Sequence, residues 1–176
     1  MTTQKATNPM RSILIEKVTV NIGVGAPGDR LENAKELLRR LTNNHEPVET
    51  KARKRDPVFK LRKGLPIGAK VTLRGPDAKT FLEKALLAKR KLLKASNFDR
   101  KGGIFAFGVH EYIDFPGAKY DPTLGMFGFD ICVTLTRKGK RVGVRRLSPS
   151  KVGKNHKITS TEAIDFAKET FGVKVE

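Results

Sequence analysis

Apolar and polar residues alternate in five stretches of the chain and recur at helical spacing in three others. From Ile13 to Gly25, Val18, Val20, Ile22 and Val24 fall on one side of an extended chain. Lys17, Thr19, Asn21, Gly23 and Gly25 fall on the other. Successive side chains of a strand point to opposite faces, so this is a half-buried strand whose second face is small and polar. Val48, Thr50 and Ala52 alternate with Glu49, Lys51 and Arg53 and predict a second strand. The cleanest alternation is the third: Ile67, Ala69, Val71 and Leu73 oppose Gly68, Lys70, Thr72 and Arg74. Phe105, Phe107, Val109 and Ile113 mark a fourth, and Phe129, Ile131, Val133 and Leu135 a fifth, with Asp130, Cys132, Thr134 and Thr136 opposite.

Three segments carry the helical period. Leu31, Ala34, Leu37, Leu38 and Leu41 form one apolar stripe, opened by Asp29 as N-cap with Glu32 three residues on and closed by Asn43-Asn44. A second helix starts at Gly75-Pro76-Asp77. Its apolar positions are Phe81, Leu82, Ala85, Leu86, Leu92 and Leu93, and its outer side is basic through Lys84, Lys89, Arg90, Lys91 and Lys94. Thr159 with Glu162 caps the last, Ser160 to about Phe171, which Gly172 ends. The residues between Pro116 and Phe127 read as a structured loop, and Arg137 to Lys157 as an irregular basic arm with nine Lys/Arg and no acid.

The order is strand–helix, strand–strand–helix, strand–strand–helix. It implies the α+β class: an antiparallel-rich mixed sheet with helices packed on one face. The other face stays open, showing Thr19, Asn21, Lys51, Arg53, Lys70, Thr72, Arg74, Thr134 and Thr136. The chain has 176 residues, with no repeat, low-complexity tract or linker, which suits one domain over 11–176 behind a flexible tail at 1–10.

Charge turns this architecture into a functional expectation. The formal net charge is +18, and self-repulsion on that scale calls for a partner of opposite sign. No apolar run approaches the roughly 20 residues that span a bilayer, and the lysine-rich second helix lacks an interfacial aromatic belt. The expectation is no membrane. MTTQKATNP has no apolar secretory core, and a single cysteine, Cys132, suits a reducing cytoplasm and reads as a buried, inert thiol.

Candidate chemistry narrows the choice. Gly23, Gly25 and Gly28 match G-x-G-x-x-G between a strand and a helix, the pattern of a dinucleotide-binding enzyme. Asp29 at the helix start would repel a pyrophosphate, and the alternating strand is unlike the continuously apolar strands of a buried parallel sheet. A plain turn is the better account. His45, His110 and His156 are scattered without ligand spacing, so no metal or other cofactor is expected, and His110 and Glu111 face opposite ways in a strand. The basic clusters at 51–74, 84–101 and 137–157 carry the signal. The first holds nine Lys/Arg against one acid, Asp56. Such clusters neutralise phosphates, and Phe59 and Tyr120 offer stacking surfaces for unpaired bases. A polar face of Asn and Thr suits RNA, with sequence-specific DNA binding the lesser option.

At this point several motifs acquire a resemblance. K-V-T-V-N-I-G-V-G (17–25), F-K-L-R-K-G-L-P-I-G-A-K-V-T-L-R-G (59–75) and F-G-V-H-E-Y-I-D-F-P-G-A-K-Y-D (107–121), with G-M-F-G-F-D-I (125–131), resemble the universal large-subunit ribosomal protein L-five family. The likeness covers about residues 10–140 in order and spacing. The basic segment at 137–176 resembles the archaeal and eukaryotic branch. The resemblance implies a non-catalytic, cytoplasmic ribosomal protein that binds 5S rRNA and attaches it to large-subunit rRNA in the central protuberance. It implies family contact positions at Asn21, Phe59 and Thr72, and at His45, where many members carry glutamine. Lys51, Arg53, Lys70 and Arg74 join them on the 5S face. The basic loop at 51–64, through Lys54, Arg55, Lys60, Arg62 and Lys63, resembles the one that approaches P-site tRNA. The loop around 113–127 resembles the region that meets a small-subunit head protein, and other central-protuberance proteins are implied as neighbours.

Overall fold

The computed structural model describes residues 8–99 and 103–176. In chain order they form β1 (Ile13–Gly23), α1 (Asp29–Leu41), β2 (Val48–Lys51), β3 (Pro66–Leu73), α2 (Gly75–Ala88), β4 (Leu92–Leu93), β5 (Ile104–Val109), β6 (Phe129–Arg137), α3 (Arg141–Val144), α4 (Ser160–Phe171) and β7 (Lys174–Val175). The α+β expectation holds. Five strands pair antiparallel in the order β2-β3-β1-β6-β5, and β4 and β7 make a separate parallel pair.

The core is what the alternation dictates. Val18, Val20 and Ile22 of β1, Ala69, Val71 and Leu73 of β3, Phe105, Phe107 and Val109 of β5, and Phe129, Ile131, Val133 and Leu135 of β6 are all buried. They share one cluster with Leu31, Ala34, Leu37 and Leu38 of α1, Phe81, Leu82, Ala85 and Leu86 of α2, and Ala163, Ala167 and Phe171 of α4. The helices therefore cover one face and leave the other uncovered. Burying a Val, Leu, Ile or Phe side chain contributes about 1.5–3 kcal/mol, so these inward positions hold the sheet to the helices.

Several local expectations need correction. Asp29 is not the N-cap of α1: Gly28 is, at φ 127°, with its carbonyl accepting from Leu31 and Glu32. Asp29 sits in the first turn, where its charge suits the positive end of the helix dipole. Helix α2 does not run to Leu93. It stops at Ala88, Arg90 and Lys91 take φ of 54° and 55°, and the chain turns into β4, whose pairing with β7 captures Leu92 and Leu93. Leu93 is buried, which keeps the helical period without the helix. Strand β5 ends at Val109. Ile113 is 40% exposed, and Tyr112 takes the buried place instead. His110 and Glu111 thus lie just past the strand, both exposed.

Strand β2 also has a different phase. Val48 lies opposite Lys70 and Thr50 opposite Gly68, so both face the uncovered side, and Val48 is 59% exposed. Glu49, opposite Ala69, turns to the helix side and bonds Lys35 of α1. The register shifts after Thr50, so Lys51 lies opposite Pro66 and returns to the uncovered face. Cys132 is not in the core. It is half-buried on the uncovered face, and burial, then Asp130, pushes its thiol pKa up. The capping box of Thr159 and Glu162 and the left-handed Gly172 are present as expected. Of the expected tail, residues 1–7 lie outside the described residues, and Asn8 caps a 3-10 turn at Pro9–Arg11. Arg100 and Lys101, which end the second basic cluster, also lie outside them.

Candidate nucleic-acid interface

The strand register builds the uncovered face in rows. One runs Val48, Lys70, Asn21, Asp130, Gly108, each opposite the next on the neighbouring strand. The adjoining row runs Thr72, Thr19, Cys132, Ala106. Lys17 follows opposite Thr134, after a bulge that sets Glu16 aside to pair with Lys140. Asn21, Thr72 and Lys70 are thus brought together, with Asn21 half-buried and the other two exposed. Arg74 is exposed just past β3 in extended backbone. Gly68 leaves a notch beside Thr50. A Cβ there would meet the Ile22 carbonyl oxygen at 2.6 Å and Thr50 Oγ1 at 2.8 Å.

The basic loop is more ordered than its composition suggested. Ala52 donates to the Leu65 carbonyl and accepts from Gly64, and Asp56 and Leu61 exchange backbone bonds at 3.0 and 2.8 Å. The segment is a narrow extension of the β2–β3 hairpin, with Pro57 to Lys60 at its tip. Lys60 takes φ 54° there, and Asp56 Oδ1 accepts from Val58. Arg53, Lys54, Arg55, Lys60, Arg62 and Lys63 are all exposed, and Phe59 is 71% exposed between Val58 and Lys60. The fold therefore puts Phe59 in the loop with the cations and not on the strand rows with Asn21 and Thr72.

His45 occupies a third place. It lies between α1 and β2, its Nε2 3.4 Å from Asp77 Oδ2 in the first turn of α2. Among the predicted contact residues it alone has an acidic partner.

Ion pairing separates the two sides of the molecule. Lys35, Arg39 and Arg40 of α1 pair with Glu32, Glu49, Glu36, Glu46 and Asp121, at 2.6–3.8 Å. Among the described residues, none of the nine Lys and Arg at 51–74 joins an ion pair. The helix side consumes acids, and the sheet side and its loop keep an unbalanced positive field, which is what draws a polyanion.

Two further segments flank the face. The loop after β5 is anchored by Asp121, which accepts from Thr123 at 2.7 Å and from Arg40 at 2.8 Å, while its own N–H donates to the Tyr112 hydroxyl. The Thr123 bonds and the Arg40 guanidinium hold the Asp121 carboxyl down at about 2. The basic arm contains short helix α3 and is rooted by Arg137, buried and bonded to Glu162 at 2.6 Å, and by Lys140 on Glu16. His156 Nε2 lies 2.8 Å from the Lys138 carbonyl. Loop and arm leave opposite ends of β6, roughly 30 Å apart for nine residues at about 3.3 Å each.

The glycine pattern at 23–28 forms a turn tied to β3: the Val24 and Gly25 N–H groups both donate to the Ile67 carbonyl. Strand β1 pairs antiparallel on both sides, so it belongs to no βαβ unit, and the dinucleotide reading falls with it. Sequence reasoning assigned no role to Asp130, although the alternation already placed this acid on the uncovered face.

Fold and site together define a class: an α+β protein whose open sheet face and flanking loops present unpaired cations, hydroxyls and an amide to a polyanion. Family comparison makes it particular. The chain matches the model for the C-terminus of the ribosomal L5 family over residues 66–166, and that of ribosomal protein L5 over residues 8–62. It is similar to the large ribosomal subunit protein uL5 of Nanoarchaeum equitans, 52% identical over 169 residues, covering 96% of this chain and 98% of the relative. The corresponding protein of Methanococcus vannielii is 49% identical, covering 95% and 93%. That of Sulfurisphaera tokodaii is 46% identical, covering 99% and 98%. The chain belongs to the ribosomal protein L5 family, in its archaeal type.

Proposed function

We propose that the chain binds 5S rRNA on its uncovered sheet face and attaches it to large-subunit rRNA in the central protuberance. The coarser role follows from the family: it is a structural, non-enzymatic constituent of the large ribosomal subunit, and its place is the ribosome in the cytoplasm. One observation supports the finer reading most. Acids are paired with cations on α1, while the strand rows and the hairpin loop keep theirs unpaired beside Asn21, Thr19 and Thr72. Cations hold phosphates, and hydroxyls and an amide read RNA shape and 2′-hydroxyls.

The parts then divide the work. Asn21, Lys70, Thr72, Arg74 and Lys51 form the 5S face, and Arg53 joins them where the loop begins. His45 joins by releasing Asp77. The hairpin tip, with Lys54, Arg55, Lys60, Arg62 and Lys63 around an exposed Phe59, reaches out toward P-site tRNA. The anchored loop around 113–127 meets a protein of the small-subunit head, and neighbouring central-protuberance proteins complete the setting. The arm at 137–157 supplies cations at the far end of the sheet for large-subunit rRNA.

Paired variants test this division. Asn21→Ala and Thr72→Ala should each weaken 5S rRNA binding with unchanged thermal unfolding, because both side chains point away from the core. Replacing Lys60, Arg62 and Lys63 with Ala should leave 5S affinity nearly unchanged and impair tRNA-dependent function in reconstituted ribosomes. Full 5S affinity in both face variants, or its loss in the loop variant, would contradict the assignment.

A further inference from the structure

Asp130 is an anomaly on a surface built for phosphates. It is exposed on the longest row, between Asn21 and Gly108. Among the described residues, Glu16 is paired with Lys140 and Glu49 with Lys35, whereas Asp130 makes no ion pair and no side-chain hydrogen bond. A bare carboxylate here opposes a polyanion, unless the ligand brings donors to it. A carboxylate only accepts.

Space for such a ligand lies beside it. A trough of about 660 Å³ runs past Asp130, with Ala106 and Gly108 of β5 among its lining residues, and with Lys89 just after α2, Leu92 of β4 and Lys94 just after β4 lining it as well. The volume is in the range of small-ligand sites. Gly108 keeps the carboxylate uncovered, because a Cβ at that position would stand 3.1 Å from Asp130 Oδ1. Leu92, 41% exposed, offers an apolar surface. Glu176 also lines the trough, so two acids stand against two lysines. On a chain of net charge +18 this is a neutral spot, poor for a phosphate and suited to a base.

We propose that this trough seats an unpaired guanine of the bound RNA, its Watson–Crick edge read by the Asp130 carboxylate. Guanine alone among the four bases carries two adjacent donors on that edge, N1–H and the N2 amino group, which match two carboxylate oxygens. Adenine and cytosine set a donor beside an acceptor, and uracil sets one donor between two carbonyls. The lysines reach the phosphates on either side. The inference rests on the RNA-binding reading of this face and adds base selectivity to it.

The test uses the full chain and fluorescence anisotropy with single-stranded RNA pentamers, uridine throughout except for the central base. The wild type should favour guanine over inosine, which lacks the N2 amino group, by about tenfold, as lost base-edge contacts do. Asp130→Asn should lose that preference and gain one for xanthine, whose donor and acceptor complement an amide. Ala106→Leu, at an exposed strand position, should fill the trough and weaken guanine binding with the fold intact by circular dichroism. Equal wild-type affinity for guanine and inosine, no binding to any pentamer, or an unchanged preference in Asp130→Asn would each overturn the proposal. So would a preference abolished by EDTA, which would assign the carboxylate to a divalent cation. Filter binding of 5S rRNA by the same proteins keeps the two readings apart. A wild type that prefers guanine but fails on 5S rRNA contradicts the face assignment and spares the trough.

Discussion

Glycines that look alike in the sequence differ sharply at the level of single residues. Gly23 and Gly68 face each other across β1 and β3. A Cβ on Gly23 would meet nothing within 4 Å, whereas one on Gly68 would collide with the Ile22 carbonyl. Gly68→Ala should therefore destabilise the fold by about 1–3 kcal/mol, the usual cost of overpacking. Gly23→Ala should fall within about 0.5 kcal/mol of wild type, as surface substitutions do. Urea unfolding of the two variants checks this, and equal midpoints would show that the notch relaxes freely. The alternation of β3 made Gly68 legible as a face residue. Its necessity was not legible, because that depends on where β1 and Thr50 come to rest.

Elements were legible where one periodicity faced one environment. Strands β1, β3 and β6 bury most of the residues their alternation selects, with Val24 and Ile67 at the strand ends only half-buried, and α4 carries both caps its sequence shows. Readings failed where a partner distant in sequence decided. Helix α2 stops short because β7, at Lys174–Val175, pairs with the segment that its period would have continued. Strand β2 sits at an edge, so Val48 has no core to enter, and a register shift brings Lys51 to the uncovered face. The loop after β5 was read as structured without its anchor. Asp121 there is held at about 2, below its ordinary 3.8, by Thr123 and Arg40. A lowered carboxylate stabilises the folded state above its ordinary value and loses that contribution as pH falls through the lowered one. The loop should thus stay protected at pH 4 and loosen toward pH 2. Proteolysis between 116 and 127 by an acid-active protease measures it. Asp121→Asn should be more susceptible at pH 4 and nearly flat below. A mutant tracking the wild type at every pH would show the anchor is not this carboxylate.

For the whole molecule, charge segregation outweighs any single contact. The net charge of +18 and the clusters are plain in the sequence. Only the fold showed that, among the described residues, the acids paired with Lys and Arg gather at α1 and at the roots of the arm, which leaves the cations of the sheet face, hairpin loop and outer arm unpaired. Of the candidate site, the alternation already put Asn21, Lys70 and Thr72 on one face, and the strand register brings them side by side. Where Phe59 and His45 come to rest was not legible, because the loop tip and Asp77 depend on packing distant in sequence. Unpaired cations attract any polyanion, so the proposed 5S role is tested by preference and not by binding alone.

The most direct measurement is filter binding of the purified chain to 5S rRNA, tRNA and duplex DNA across about 50 to 200 mM salt, where phosphate contacts change affinity steeply. A preference for 5S rRNA should survive at every salt concentration. Its log affinity should fall linearly with log salt, by about 0.7–0.9 per phosphate contact. Equal affinity for all three nucleic acids, with one common slope, would contradict 5S recognition and leave a polycation with no 5S site.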